Sequence, residues 1–193
     1  MKFAFVADRL ALNFIATVSE RRTRRVEQLA SPSDLQDWID LAGVVDACQS
    51  LSDAELQEAK RLREALFALI AAVTERREVP ARDRDIVNAA AVMCPPTVTL
   101  ISGDRVHRDG DLRSVLAVLA RDGIDLVDSP DRDLVRWCAD DACSRPFVDR
   151  SRGQRRRWCG MSGCGDRAKS AAYRRRQQTV PDGPQPQPRP RSK

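Results

Sequence analysis

The sequence predicts a mainly α (α+β) chain, with a helical N-terminal domain carrying a small β-hairpin followed by a treble-clef-like module. Three observations predict it. Apolar residues recur at helical spacing through the first two thirds, with cap and proline signals between the runs. One β-branched stretch interrupts them after Pro95-Pro96. Beyond residue 130 the periodicity stops, and four of the six cysteines fall in two equally spaced pairs, Cys138-x4-Cys143 and Cys159-x4-Cys164.

Each element has a local cause. Residues 10, 14, 15 and 18 form the apolar stripe of a first helix across Leu10 to Val18. Ser31-Pro32 supplies an N-cap and a first-turn proline, with Asp34 near the positive helix end, so a second helix carries Leu35, Trp38 and Ile39 towards Gly43. Ser52-Asp53-Ala54-Glu55 is a capping box, with Leu51 placed to staple onto Leu56. From there Leu56, Ala59, Leu62, Leu66, Leu69, Ile70 and Val73 keep helical spacing, with charges expected on the other face and Pro80 as the stop. Arg82 to Met93 reads as a fourth helix. Thr97 to Ile101 and Arg105 to Arg108 flank Ser102-Gly103-Asp104 as a hairpin. A fifth helix starts near Leu112 and runs through Gly123 towards Val127, and Ser129-Pro130 marks a boundary. The domains expected are residues 1-128, residues 129-178 and a disordered basic Pro-rich tail, residues 179-193.

At 193 residues, 42% hydrophobic and 32% charged, the composition is that of a soluble globular protein. No stretch is long and apolar enough for a membrane span, and Asp8 and Arg9 interrupt the apolar start, so no signal peptide and no membrane partner are expected and a reducing cytoplasm is the expected compartment. The net charge of +5 divides sharply. Residues 1-130 carry 17 Lys/Arg and 21 Asp/Glu, whereas residues 131-193 carry 16 and 7. An acidic body with a basic end points to a polyanionic partner for that end, most simply nucleic acid, through release of condensed counterions.

The body offers little chemistry. His107 is the only histidine, which excludes a His-based triad or a multi-His metal site, and it reads as a surface or packing residue. Asn13 and Asn88 lie among apolar residues and are candidates for a small-molecule pocket, with inter-helix hydrogen bonding as the alternative. Cys48 and Cys94 lack partner spacing and are expected as buried apolar residues. No phosphate loop, nucleophile elbow or paired-carboxylate motif appears, so no enzymatic activity is expected.

Four thiolates at this spacing can close a tetrahedral zinc site; two disulfides or four buried thiols would fit the spacing too, but nothing points to export. The expected ligands of a structural zinc, about one per chain, are Cys138, Cys143, Cys159 and Cys164. Between the pairs, residues 145-149 and 155-158 read as two strands around a turn at 151-154, and Gly165 to Gln177 reads as a basic helix. Some forty residues with few large apolar side chains need such a cross-link, which contributes on the order of 10 kcal/mol. Candidate phosphate contacts are Arg155, Arg156, Arg157, Arg167, Lys169, Arg174, Arg175 and Arg176, with Trp158 and Tyr173 expected in the module core.

These residues carry a resemblance. Cys143-x-x-Pro-Phe147-Val-Asp149-x-Ser151, Arg156-Arg157-Trp158-Cys159-x4-Cys164-Gly165-Asp166-Arg167 and Tyr173-Arg174 together resemble the CGNR zinc finger. Leu10 to Phe14, the Leu29, Leu35 and Trp38 spacing, and Leu62-Arg63-Glu64-Ala65 resemble the ABATE domain that usually precedes that finger. The resemblance implies a stress-induced bacterial transcription regulator, with the finger binding double-stranded DNA and the body sensing a small-molecule effector or forming a homodimer. Alternatives are RNA binding, or a zinc-stapled protein-interaction module on a ligand-binding or enzymatic body. Two departures stand out: Asp166 replaces the name-giving asparagine, and Asn13-Phe14-Ile15-Ala16-Thr17 stands where the family usually reads Asp-Phe-x-Asn-Thr.

Overall fold

Helix α1 (Leu10–Ile15) stops three residues short of the predicted end. Thr17 and Val18 leave the helix because Val18 and Ser19 (β1, Val18–Ser19) pair with β2 (Val26–Glu27), a short antiparallel ladder with no sequence signal of its own. Val18 is still buried, so the apolar stripe is correct for burial while the period over so short a run does not separate helix from strand. The start of α1 has no cap of its own; Asp122, from a distant helix, accepts the Ala11 N–H at 2.7 Å and pairs with Arg9. The structure, a computed structural model, describes residues 3–178; the tail expected to be disordered lies outside them.

Both local capping signals fold as read. Helix α2 (Pro32–Ala42) opens on Ser31, whose hydroxyl accepts the Asp34 N–H while the Asp34 carboxylate accepts the Ser31 N–H. Ser52 and Glu55 make the same reciprocal pair at the start of α3 (Asp53–Thr74), the longest helix. That helix ends before Pro80, which instead opens α4 (Ala81–Ala91). Strands β3 (Thr97–Leu100) and β4 (Val106–Asp109) form the predicted hairpin with Leu100 opposite Val106, and all eight residues are exposed. Helix α5 (Leu112–Asp128) includes Gly123, which is needed because a Cβ there would stand 2.5 Å from Leu66 Cδ2.

The core lies between α1, α2, α3 and α5, where Phe14 and Trp38 meet at 4.9 Å between ring centroids. It continues without a break into the cysteine region. Strands β5 (Val135–Trp137) and β6 (Pro146–Val148) pair antiparallel, and Phe147, Val148 and all four paired cysteines belong to the same buried cluster as the helices. Val148 N–H donates to Ala7 O, and Trp137 Nε1 donates to Thr74 Oγ1. No helix of the described residues is long and apolar enough to cross a membrane.

One charge lies on the buried side of α3, against the expectation that its charges face outward. Arg63 is 2% exposed, donating to Glu64 through Nε, to Thr17 Oγ1 and Glu27 through Nη1, and to Glu27 again through Nη2 at 2.7 Å. Its neighbour Glu64 takes a two-pronged contact from Arg21. Burial opposes ionisation of Glu64, but the Arg21 and Arg63 guanidiniums outweigh it and hold the carboxyl at about 2. A lowered carboxylate contributes stability in full above its ordinary value near 4.5 and loses it as pH falls towards about 2. The urea midpoint should therefore drop over that interval, and Glu64→Gln should flatten the drop; an unchanged profile in the variant would contradict the assignment.

Candidate metal centre and basic surface

Two turns bring the four sulfurs together. The first is the tip of the β5–β6 hairpin, which carries Cys138 and Cys143 and is closed by Cys138 N–H donating to Arg145 O. The second runs from Cys159 to Cys164, where Gly163 takes φ of +98°, a backbone conformation that a side chain would strain. Residues 155-158 were expected to pair with 145-149 around a turn; the structure instead pairs β6 with β5, across the first cysteine pair. The reason lies in Asp149, whose carboxylate accepts the N–H groups of Ser151 and Arg156 and the Ser151 hydroxyl, folding 149-156 into a hydrogen-bonded loop.

The sulfurs of Cys138, Cys143, Cys159 and Cys164 all lie within 4.8 Å of one another and are buried. Cys143 to Cys159 is 3.8 Å and Cys159 to Cys164 is 3.7 Å. Four thiolates at ~2.3 Å from one tetrahedral ion stand ~3.8 Å apart, so the donor set and its spacing fit a metal ion of zinc size. Hydrogen bonds from Cys143 and Cys159 pull Cys138 far down towards the thiolate, while Cys159 is pushed far up by hydrogen bonding to Cys138 and Cys143. Burial, then the charge of Cys143 and Cys138, raises Cys164 to about 12. Four ionised sulfurs at this spacing thus need a cation among them. Two donors also stabilise the sulfurs from outside: the Cys159 N–H towards Cys138 Sγ and Arg167 Nη2 at 3.0 Å from Cys164 Sγ.

The eight candidate phosphate contacts have unequal roles. Arg156 faces inward, donating to the carbonyls of Val6, Trp158 and Cys159, pairing with Asp8 and lying 4.4 Å from the Phe147 ring centroid. Arg167 spans the two turns, donating from Nε and Nη2 to Asp140 while touching Cys164. Sequence reasoning missed both positioning roles, because Val6, Asp8 and Asp140 are remote along the chain. Arg155, Arg157, Lys169, Arg174, Arg175 and Arg176 are exposed. The Arg157 guanidinium lies 4.9 Å from the half-buried Trp158 ring. Tyr173, expected in the core, is 60% exposed because α6 (Asp166–Gln178) departs from the cysteine turn into solvent. None of the side chains described on that helix is buried. A groove of about 1020 Å³ separates it from the first turn, with Arg157, Trp158, Arg174 and Arg175 on its walls.

The remaining candidates stay apart from this surface. Asn13 Oδ1 accepts the Ala7 N–H and Asn88 is exposed on α4, so the two do not line one pocket. His107 is exposed and meets Asp46 at 2.7 Å. Cys48 is half-buried, while Cys94, expected to be buried, is exposed where the chain leaves α4 for the projecting hairpin.

The family model of ABATE, described as "Putative stress-induced transcription regulator", matches residues 8–130, and that of the CGNR zinc finger matches residues 135–177. No curated protein matches the chain.

Proposed function

The chain belongs to the ABATE family and carries a CGNR zinc finger, and from this premise we propose that it is a transcription regulator that binds double-stranded DNA through α6 and the loop around Arg155 and Arg157. In this reading residues 1-128 form the regulatory body and residues 129-178 the finger, working in a reducing cytoplasm. A structural zinc held by Cys138, Cys143, Cys159 and Cys164 would cross-link the two turns from which α6 starts.

One observation carries the proposal: none of the side chains described on α6 is buried, yet it has Arg167, Lys169, Arg174, Arg175 and Arg176 on it. A helix of this length without an apolar face gains little from its own packing, and such a density of cations suits a polyanionic surface that docks on it. Residues 135-177 hold 12 Lys/Arg against 4 Asp/Glu, so a surplus of cations remains after a divalent ion and four thiolates add two negative charges. Asp166 is exposed at the helix start, 3.8 Å from Lys169.

The test is the salt dependence of duplex affinity. Log affinity should fall linearly with log salt, with a slope of roughly −0.9 per phosphate contact. Replacing Arg174, Arg175 and Arg176 together with glutamine should weaken binding and flatten the slope. A slope unchanged by that replacement would remove α6 from the interface. Asp166→Asn should keep the metal and leave affinity equal or higher, since it deletes a negative charge beside the phosphates.

A further inference from the structure

We propose that the groove between α3, α4 and α5 binds a small amphipathic carboxylate, its head group between Arg61 and Arg113 and its apolar chain along Leu62, Ile86 and Leu116. The groove encloses about 390 Å³ and lies on the body, away from the cysteine turns. Ligand pockets start at roughly 300 Å³. Its floor is apolar: Leu62 and Leu116 belong to the buried core and Ile86 packs against it. On α4 only Val87 is buried; Ile86 and Ala90 pack against the core in part and leave the groove open beside them.

The rim supplies the charge. Arg61 and Arg113 are both exposed and line the groove; among the described residues neither forms a salt bridge. Glu58 is the one carboxylate among the lining residues, while Glu55, outside the groove near the start of α3, also acts on Arg113, so the cation that only Glu58 faces is Arg61. The far end is fixed rather than open to collapse, because Arg121 on α5 donates to Ala91 O at 2.8 Å and Met93 O at 2.9 Å. An apolar floor with two exposed guanidiniums at its mouth complements a carboxylate on a hydrocarbon chain, through charge-assisted hydrogen bonds at one end and area removed from water at the other. The site goes beyond the DNA-binding reading and does not depend on it.

Titration calorimetry of the full chain with hexanoate, octanoate, decanoate and dodecanoate tests this, with decyltrimethylammonium as the cationic control. Saturable binding at one site is expected, tightening with chain length until the groove is filled, while the control does not bind. Arg61→Gln with Arg113→Gln should weaken decanoate by about tenfold or more, as the loss of a charge-assisted contact does. Ala89→Trp, on the exposed face of α4, should block the groove and abolish binding with the fold intact by circular dichroism. The proposal is overturned if no carboxylate binds, if decanoate binds equally well to these variants, or if sedimentation shows that Ala89→Trp dissociates a dimer, which would make the groove an interface between copies.

Discussion

Cys159→Ser is expected to strip the metal from the protein and unfold the region from β5 to α6. The mutated sulfur stands 3.8 Å and 3.7 Å from two of its three companions, so its loss would leave a zinc ion three sulfur ligands and a buried hydroxyl in place of the fourth. Structural zinc contributes on the order of 10 kcal/mol in small modules of this kind, far more than the packing of Phe147 and Val148 replaces. The helices of the body keep their own core, but they lose what they share with the finger: the Val148–Ala7 and Trp137–Thr74 hydrogen bonds, the Arg156–Val6 contact, and the Ser144 hydroxyl that accepts the Arg21 N–H. Metal content should fall well below one per chain, with helical circular dichroism largely retained and the thermal midpoint lowered. A variant that retains stoichiometric metal, or one that melts like the parent, would contradict the assignment.

The second large effect is expected at Arg63. Its guanidinium is buried and meets oxygens of Glu64, Thr17 and Glu27, tying α3 to the end of α1 and to β2. Removing one partner of a buried ion pair costs about 3–5 kcal/mol, and because Glu27 is a third exposed and can recover water, the lower end applies to Arg63→Met. Arg63→Lys should recover only part of the loss, since an ammonium cannot make the two parallel bonds to Glu27. Urea unfolding measures both; a cost for Arg63→Met below about 1 kcal/mol would mean that the network adds nothing beyond side-chain packing.

What was legible in the sequence was what depends on neighbours along the chain. Ser31 with Asp34 and Ser52 with Glu55 act within one turn, so the starts of α2 and α3 could be read directly. The cysteine spacing likewise identified the four sulfurs that converge. What could not be read depends on partners far away. Asp122 caps α1 across more than a hundred residues, and Arg63 looks like a surface charge until Thr17 and Glu27 are folded against it. The run Arg155-Arg156-Arg157 looks uniform in sequence, yet Arg156 turns inward because the carbonyls of Val6 and Cys159 lie within its reach. The same holds for the hairpin of the finger: the β6 segment was identified, but its true partner, β5, lies before the first cysteine, where no turn signal announces a pairing.

The central claim is that a metal-closed cysteine cluster presents a basic helix to DNA. Its most direct test is to titrate zinc into chelated, reduced protein while recording affinity for a random duplex at fixed salt. The account predicts that duplex affinity rises with added zinc and levels off at one equivalent per chain, in step with the return of finger structure. Duplex affinity that is indifferent to zinc, or a fully zinc-loaded finger that binds no duplex at low salt, would contradict it.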